Sequence, residues 1–187
     1  MDLGDVERLV VDLYRRHRLD PSEPESPWRL ARLELGPQCF EATTLPGPSH
    51  AFKRRGQWQI AIAADLPTEY AAHAVGHELG HALLERHGVN LSPAAEETVC
   101  DHIGGAILAP KPAVAAMFER HRFNLRRWAS LSASTPTWAA LRIGEALAIP
   151  CAVIGPHKTR LRVADAPPRP GVRRALGQGR TAVFSAA

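Results

Sequence analysis

The sequence predicts an α+β domain, mostly helical, with a small twisted sheet packed against one central helix. Three observations predict it. Apolar residues recur at helical spacing in several separate segments. One stretch, 51–63, alternates at period two around a bend, the pattern of a β-hairpin. The chain has 187 residues, 45% of them hydrophobic, enough to bury one core and short for two.

Taken in order, Asp5 to Arg18 places Val6, Leu9, Val10 and Leu13 on one helical face. Asp20 to Pro27 reads as a loop, with three prolines and two serines. Trp28 to Leu35 carries Leu30, Leu33 and Leu35 in a spacing that suits either a strand or a short helix. In the hairpin, Arg55-Gly56 marks the bend, and Trp58, Ile60 and Ile62 share a face. Asp65 is placed to cap the next helix, with Pro67 in its first turn and Gly88 as its terminator. Further helices are expected at about Pro93 to Leu108, from Pro112 to Phe118 or beyond, and at Thr137 to Leu147, with a short strand at Cys151 to Ile154. Residues 1–165 form a single domain on this reading, and 166–187 a flexible basic tail rich in Pro and Gly.

Composition narrows the setting. Cys39, Cys100 and Cys151 are odd in number and form no C-x-x-C pair, which suggests free thiols in a reducing compartment. The first residues are acidic, unlike a secretory signal, and no run approaches the roughly 18 apolar residues of a membrane span. The expected location is the cytoplasm, with no membrane partner. Residues 151–187 hold seven basic side chains and one acid, a net +6, so the first 150 residues carry −2 of the chain's overall +4. Charge alone names no partner, and a solvated terminus is favoured over nucleic-acid binding.

The chemistry lies in His77-Glu78-Leu79-Gly80-His81. Two histidines four apart share one helical face and can reach a single ion. Zinc takes neutral imidazole nitrogens, and a catalytic site uses three protein ligands and keeps one position for water. Another divalent metal is compatible with the same donors. Glu78, beside the first ligand, suits the general base that deprotonates the water and hands the proton to the leaving amine. Gly80 costs on the order of 1 kcal/mol against Ala in a helix, which a close approach by another backbone would explain.

A third ligand is needed. His87 lies ten residues after His77, but Leu84-Glu85-Arg86 continues the helix where a sharp glycine break would be required, and Met117 makes no convincing later turn. His87 therefore reads as a helix C-terminal histidine. Glu97 and Asp101 are four apart and face one way, so Glu97 is chosen as ligand and Asp101 as the acceptor that orients a ligating histidine. Glu96, about 100° round the helix, is expected to point elsewhere.

The stretch His77 to Pro110, HELGHALLERHGVNLSPAAEETVCDHIGGAILAP, resembles the ImmA/IrrE-type metallopeptidases. These follow H-E-x-x-H with a helix close to E-x-x-A-[ND]-x-F-A-x-x-L-L-x-P. The leading Glu falls on Glu97, the Asn/Asp on Asp101, and Leu-x-Pro on Leu108-Ala109-Pro110. Cys100 stands for the usual Ala, Ile103 for Phe and Gly104-Gly105 for a small pair, all packing positions. Looser similarity extends over residues 50–150. The resemblance implies a zincin-like, gluzincin-type core and an intracellular peptidase that cuts one protein, often a helix-turn-helix repressor, in stress response or mobile-element regulation.

Other positions are weighed beside these. Tyr70, His102 and His121 are candidates to stabilise the oxyanion; His73, one turn before His77, reads first as a packing histidine. Trp128 and Trp138 read as core rather than as substrate platforms. Gln57 to Ala63 suits either a substrate-pairing edge or an inner strand. The competing functions are a hydrolase for a non-peptide substrate, and a non-proteolytic zinc-containing regulator that binds protein or nucleic acid through the basic tail.

Overall fold

The computed structural model describes residues 1–122, 124–147, 151–154, 160–162 and 182–185. In chain order the elements are α1 (Leu3–Arg16), α2 (Pro27–Leu35), β1 (Phe40–Thr43), β2 (Ser49–Arg54), β3 (Gln57–Ala63), α3 (Thr68–Arg86), α4 (Pro93–Leu108), α5 (Lys111–His121), α6 (Leu125–Leu131), α7 (Pro136–Leu147), β4 (Cys151–Ile154), β5 (Arg160–Arg162) and β6 (Ala182–Ser185). The fold is α+β and mostly helical. One small sheet has the order β1-β3-β2 and a second the order β5-β4-β6. Of the expected basic tail, 182–185 is β6, antiparallel to β4, and 166–181 and 186–187 lie outside the described residues. Among the described residues no helix is long and apolar enough to cross a membrane.

Local chemistry explains most boundaries. Helix α1 starts earlier than its periodicity indicates, because the Asp2 carboxylate accepts from Asp5 N–H and the Asp5 carboxylate from Asp2 N–H. Residues 28–35 are helical. Pro27 opens that helix, Leu30 and Ala31 bury together, and Gly36 at φ 106° ends it. The hairpin pairs Ser49 with Ile62 and Arg54 with Gln57, and both bend residues, Arg55 and Gly56, have positive φ. Asp65 does not cap α3. A turn from Ala63 O to Leu66 N occupies that position, and the helix begins at Thr68 after Pro67 with no side-chain cap. At its other end Gly88, at φ 64°, donates to Glu85 O while Val89 donates to Leu84 O, closing the helix with the expected glycine.

The sheet of β1 to β3 packs against α3, and α4 packs on α3 more extensively than any other pair of elements. Strand β3 is central, parallel to β1 and antiparallel to β2, so it is not an edge; Ile60, Ala61 and Ile62 are all buried. One apolar cluster gathers residues of α1, α2, β3, α3 and α4. A second gathers Val114, Met117, Trp128 and Ile143 from α5 to α7, which places Met117 and Trp128 in a core. Helix α6 was not legible from periodicity. It is one short segment capped by the Asn124 side chain and anchored by buried Trp128, whose indole N–H donates to Arg122 O.

Helices α3 and α4 meet backbone to backbone. A Cβ on Gly104 would lie 2.9 Å from His77 N and 3.2 Å from His73 O; one on Gly80 would lie 3.3 Å from Cys100 Cα. Gly104→Ala is therefore expected to lower unfolding free energy by about 1–3 kcal/mol in denaturant titration, from overpacking against immovable backbone. Gly47→Ala, with nothing near its missing Cβ, should stay within about 0.5 kcal/mol. Equal effects at the two positions would contradict this account of the helix contact.

Candidate metal centre

The seam between α3 and α4 builds the site. Gly76 lies against Gly104 and Gly80 against Cys100, so the helices run antiparallel with small residues at their contact. That brings the first three turns of α4 beside His77 and His81, whose ring centroids are 5.1 Å apart. Donor atoms of His77, His81 and Glu97 all lie within 4.8 Å of one another. The Glu97 carboxylate is 3.2 Å from His77 Nε2 and 3.6 Å from His81 Nε2.

The opposite ring nitrogens are engaged too. His77 Nδ1 is 2.8 Å from Asp101 Oδ1, and His81 Nδ1 is 2.8 Å from Glu96 Oε1. Each carboxylate accepts the Nδ1 proton, which leaves a lone pair on Nε2 in the neutral ring. Both lone pairs then face Glu97, an arrangement that is repulsive without a cation between them. Two imidazole nitrogens and a carboxylate oxygen form a donor set that zinc accepts, so the residues fit the ion. Glu97 is 63% exposed at its side chain and leaves the group open on that side.

Glu78 sits differently from the three candidate ligands. It is 5% exposed, and Ser49, the first residue of β2, donates to its Oε1 at 2.6 Å. A buried carboxylate is tolerated when hydrogen-bonded, and this bond fixes which way it faces. Neither Ser49 nor Glu96 was found by sequence reasoning. Glu96 was expected to point elsewhere and instead binds His81. It belongs to the row Glu96, Cys100, Gly104 that lies on the seam itself, so the turn of α3 carrying His81 passes directly over it. An i, i+4, i+8 reading from Gly104 backwards would have found it.

A cleft of about 540 Å³ opens beside the group, and its lining includes Ser49, Tyr70, His73, His77, Glu78 and Glu97. Tyr70 and His73 thus border the cleft. Burial, with the neighbouring His77, outweighs the pull of Asp101 and holds the His73 imidazole below its ordinary range. His102 and His121 are not among the lining residues. His102 Nδ1 is 2.5 Å from Glu145 on α7, and His121 is the last residue of α5. His87 caps the C-terminus of α3. Trp138 lines the cleft instead of lying wholly in the core. Burial first, then the surrounding carboxylates led by Glu96 and Glu97, push the Cys100 thiol far up, so it remains protonated. No protein-family model matches the chain, and no curated protein matches it.

Metal titration checks the assignment of roles. His77→Ala, His81→Ala or Glu97→Ala should each lose zinc affinity by more than about 100-fold, and Glu96→Ala or Asp101→Ala by about 10–100-fold with one ion still bound. Full affinity without Glu97 would remove it as a ligand.

His102 supplies a pH test. The Glu145 hydrogen bond raises its pKa against the opposing effect of burial, so NMR titration should place it above the ordinary value of about 6.5. Its stabilisation is complete below that ordinary value and is lost as pH rises through the elevated one. Glu145→Gln should bring the midpoint down; an unmoved midpoint would show that the pair is not the cause.

Proposed function

We propose that this chain is a zinc-dependent endopeptidase with a zincin-like core of the ImmA/IrrE type, acting on a specific intracellular protein, with a helix-turn-helix regulator as the first candidate substrate. The observation that carries the reading is the convergence of His77, His81 and Glu97 beside buried, oriented Glu78 at one end of an open cleft. The pattern of residues 77–110 adds the family resemblance.

His77, His81 and Glu97 would hold the ion, and Asp101 and Glu96 keep both rings in the Nδ1–H tautomer that presents Nε2. When bound, zinc supplies Lewis acidity, polarising a carbonyl and lowering the pKa of water toward about 7. Glu78 takes a proton from the attacking water as its oxygen joins the scissile carbonyl carbon. It then delivers that proton to the amide nitrogen as the C–N bond breaks. Ser49 holds the carboxylate for both transfers without itself touching the reacting atoms. Strand β2, at one edge of its sheet, begins at the cleft and offers unpaired main chain to an extended peptide.

A regulator that keeps zinc for structure would close the ion with a fourth protein ligand. Among the described residues the group has three, and the cleft opens next to it, which favours catalysis.

The decisive experiment incubates the zinc-loaded protein with transcriptional regulators encoded nearby and maps cuts by mass spectrometry. Glu78→Gln should lower kcat by about 10²–10⁴ while zinc stays bound and the fold intact. Ser49→Ala should lower kcat roughly tenfold with KM and zinc affinity unchanged, and Ser49→Thr should restore it. Cleavage that survives in Glu78→Gln would reject the proposed base.

A further inference from the structure

Residues 1–150 carry a net −2, yet the end of the molecule where α1 and α3 finish is basic. There Glu34 of α2, 2% exposed at its side chain, accepts from Arg16 at 2.6 Å, from His17 at 2.6 Å and from Arg86. Burial pushes the Glu34 carboxyl up, but these partners outweigh it and hold it below its ordinary range. One carboxylate thus fixes two guanidiniums and neutralises only one of them. Arg16 also donates to His87 at 3.4 Å. Both arginine side chains stay partly exposed, with N–H donors left for a further acceptor.

The β2–β3 hairpin extends this end. Strand β2 runs along α3, with Ser49 on Glu78 and Lys53 on Glu85, so its bend at Arg55-Gly56 reaches the C-terminal end of the helix. Lys53 joins the two groups of cations, because Glu85 precedes Arg86. Arg54 and Arg55 are exposed, and among the described residues neither has a carboxylate in ion-pair range. Helix dipoles account for cations at the ends of α1 and α3. They do not account for two unpaired arginines at a hairpin bend.

The outer face of the same hairpin is aromatic. Strand pleating turns His50, Phe52 and Arg54 away from the side of Ser49, Ala51 and Lys53. That second side pairs with Ile60 and Ile62 and packs on the helices. On the outer side the His50 and Phe52 rings lie 6.2 Å apart and within 12° of parallel, with Gln59 opposite Phe52 on β3. We propose that this end of the molecule binds single-stranded nucleic acid, with Arg54, Arg55, Arg16 and Arg86 on the phosphates and the His50–Phe52 platform under a base.

Every base has a π-face, so such a platform is tolerant of sequence. A duplex hides those faces, and an acidic protein would satisfy the arginines but leave the platform unused. Guanidiniums already held by Glu34 lose little freedom on meeting a phosphate. Glu41, on the outer face of β1, stands across β3 from His50 and keeps the phosphates toward the hairpin bend. Arg54 lies five residues along β2 from Ser49, about 17 Å at roughly 3.4 Å per residue. A strand bound there leaves the cleft open, so the proposal stands apart from the peptidase reading.

Fluorescence anisotropy with the full-length protein tests this, using a labelled mixed-sequence DNA strand of roughly 16 nucleotides, its duplex, and heparin as competitor. Affinity for the strand should fall with salt at a logarithmic slope of about −3, from four phosphate contacts at about 0.7 each. Arg54→Gln combined with Arg55→Gln should lower affinity at least about tenfold and flatten the slope by about 1.4. His50→Ala, at an exposed position, should lower affinity about fivefold or more with the slope unchanged. The strand should bind at least about tenfold tighter than the duplex, which offers phosphates without base faces. Arg173→Gln combined with Arg174→Gln, in the basic C-terminal stretch, should leave affinity within about twofold. No binding at low salt, binding unchanged by the Arg54 and Arg55 pair, binding lost instead in the Arg173 and Arg174 pair, or preference for the duplex would overturn the proposal. So would heparin competing as tightly as the strand while His50→Ala has no effect, which would mark a surface for any polyanion.

Discussion

The close crossing of α3 and α4 is the constraint from which the rest of the site follows. Gly76, Gly80 and Gly104 each cost about 1 kcal/mol relative to alanine inside a helix, and all three occupy the contact, where a Cβ would strike backbone or the Cys100 side chain at 2.9–3.3 Å. The cost is offset by what contact at that distance permits. Carboxylates on the short side chains of Glu96, Glu97 and Asp101 can reach imidazoles on α3 only because the two backbones touch. With alanine at these positions the helices would separate, and Asp101, the shortest of the three, would be the first to lose its hydrogen bond to His77.

That crossing also divides labour among chemically similar groups. Four carboxylates surround two histidines, yet each has its own partner. Glu78 has Ser49, Asp101 has His77 Nδ1, and Glu96 has His81 Nδ1. Glu97 alone faces both Nε2 atoms. A divalent cation would complete that last arrangement electrostatically, as no hydrogen bond between the same atoms can while both Nδ1 protons stay where the other acids hold them. Cys100, in the middle of this acidic surrounding, stays a neutral thiol and serves as a small packing group on the seam.

How much of this the sequence discloses depends on whether the deciding interaction is local. The helix spacing of His77 and His81, the terminating Gly88 and the tight bend at Arg55-Gly56 are set by residues within a few positions of one another, and each could be read directly. The Glu97 and Asp101 face could be read because a single helix repeats its geometry. What could not be read was the angle at which α4 presents that helix to α3. Choosing the 97/101 row as the contact face left Glu96 aside, whereas the glycine contacts put the 96/100/104 row on the seam. Ser49 was hidden for a similar reason. Its partner is 29 positions away, across a strand whose place in the sheet, at the edge beside central β3, is fixed by non-local pairing. Trp138 resembles a core residue by composition, and only the position of α7 relative to α3 brings it to the cleft.

The position of α7 has its own physical cause. The apolar cluster that contains this helix is separate from the one beneath the candidate metal centre, so hydrophobic burial alone would hold the two halves in register loosely. Arg142 supplies the direction that burial lacks. Its guanidinium is 2% exposed and donates to Ala109 O just after α4, to Glu145 on its own helix and to Glu7 on α1. Glu145 in turn bonds His102 on α4. Planar guanidinium geometry permits these bonds in few orientations. Trp138 is one helical turn before Arg142, so the clamp that orients the arginine also sets the distance from the indole to His73 and thus the width of the cleft. A buried ion cluster of this kind adds little net stability over an apolar replacement. Its contribution here is to fix where the cleft wall stands relative to α3.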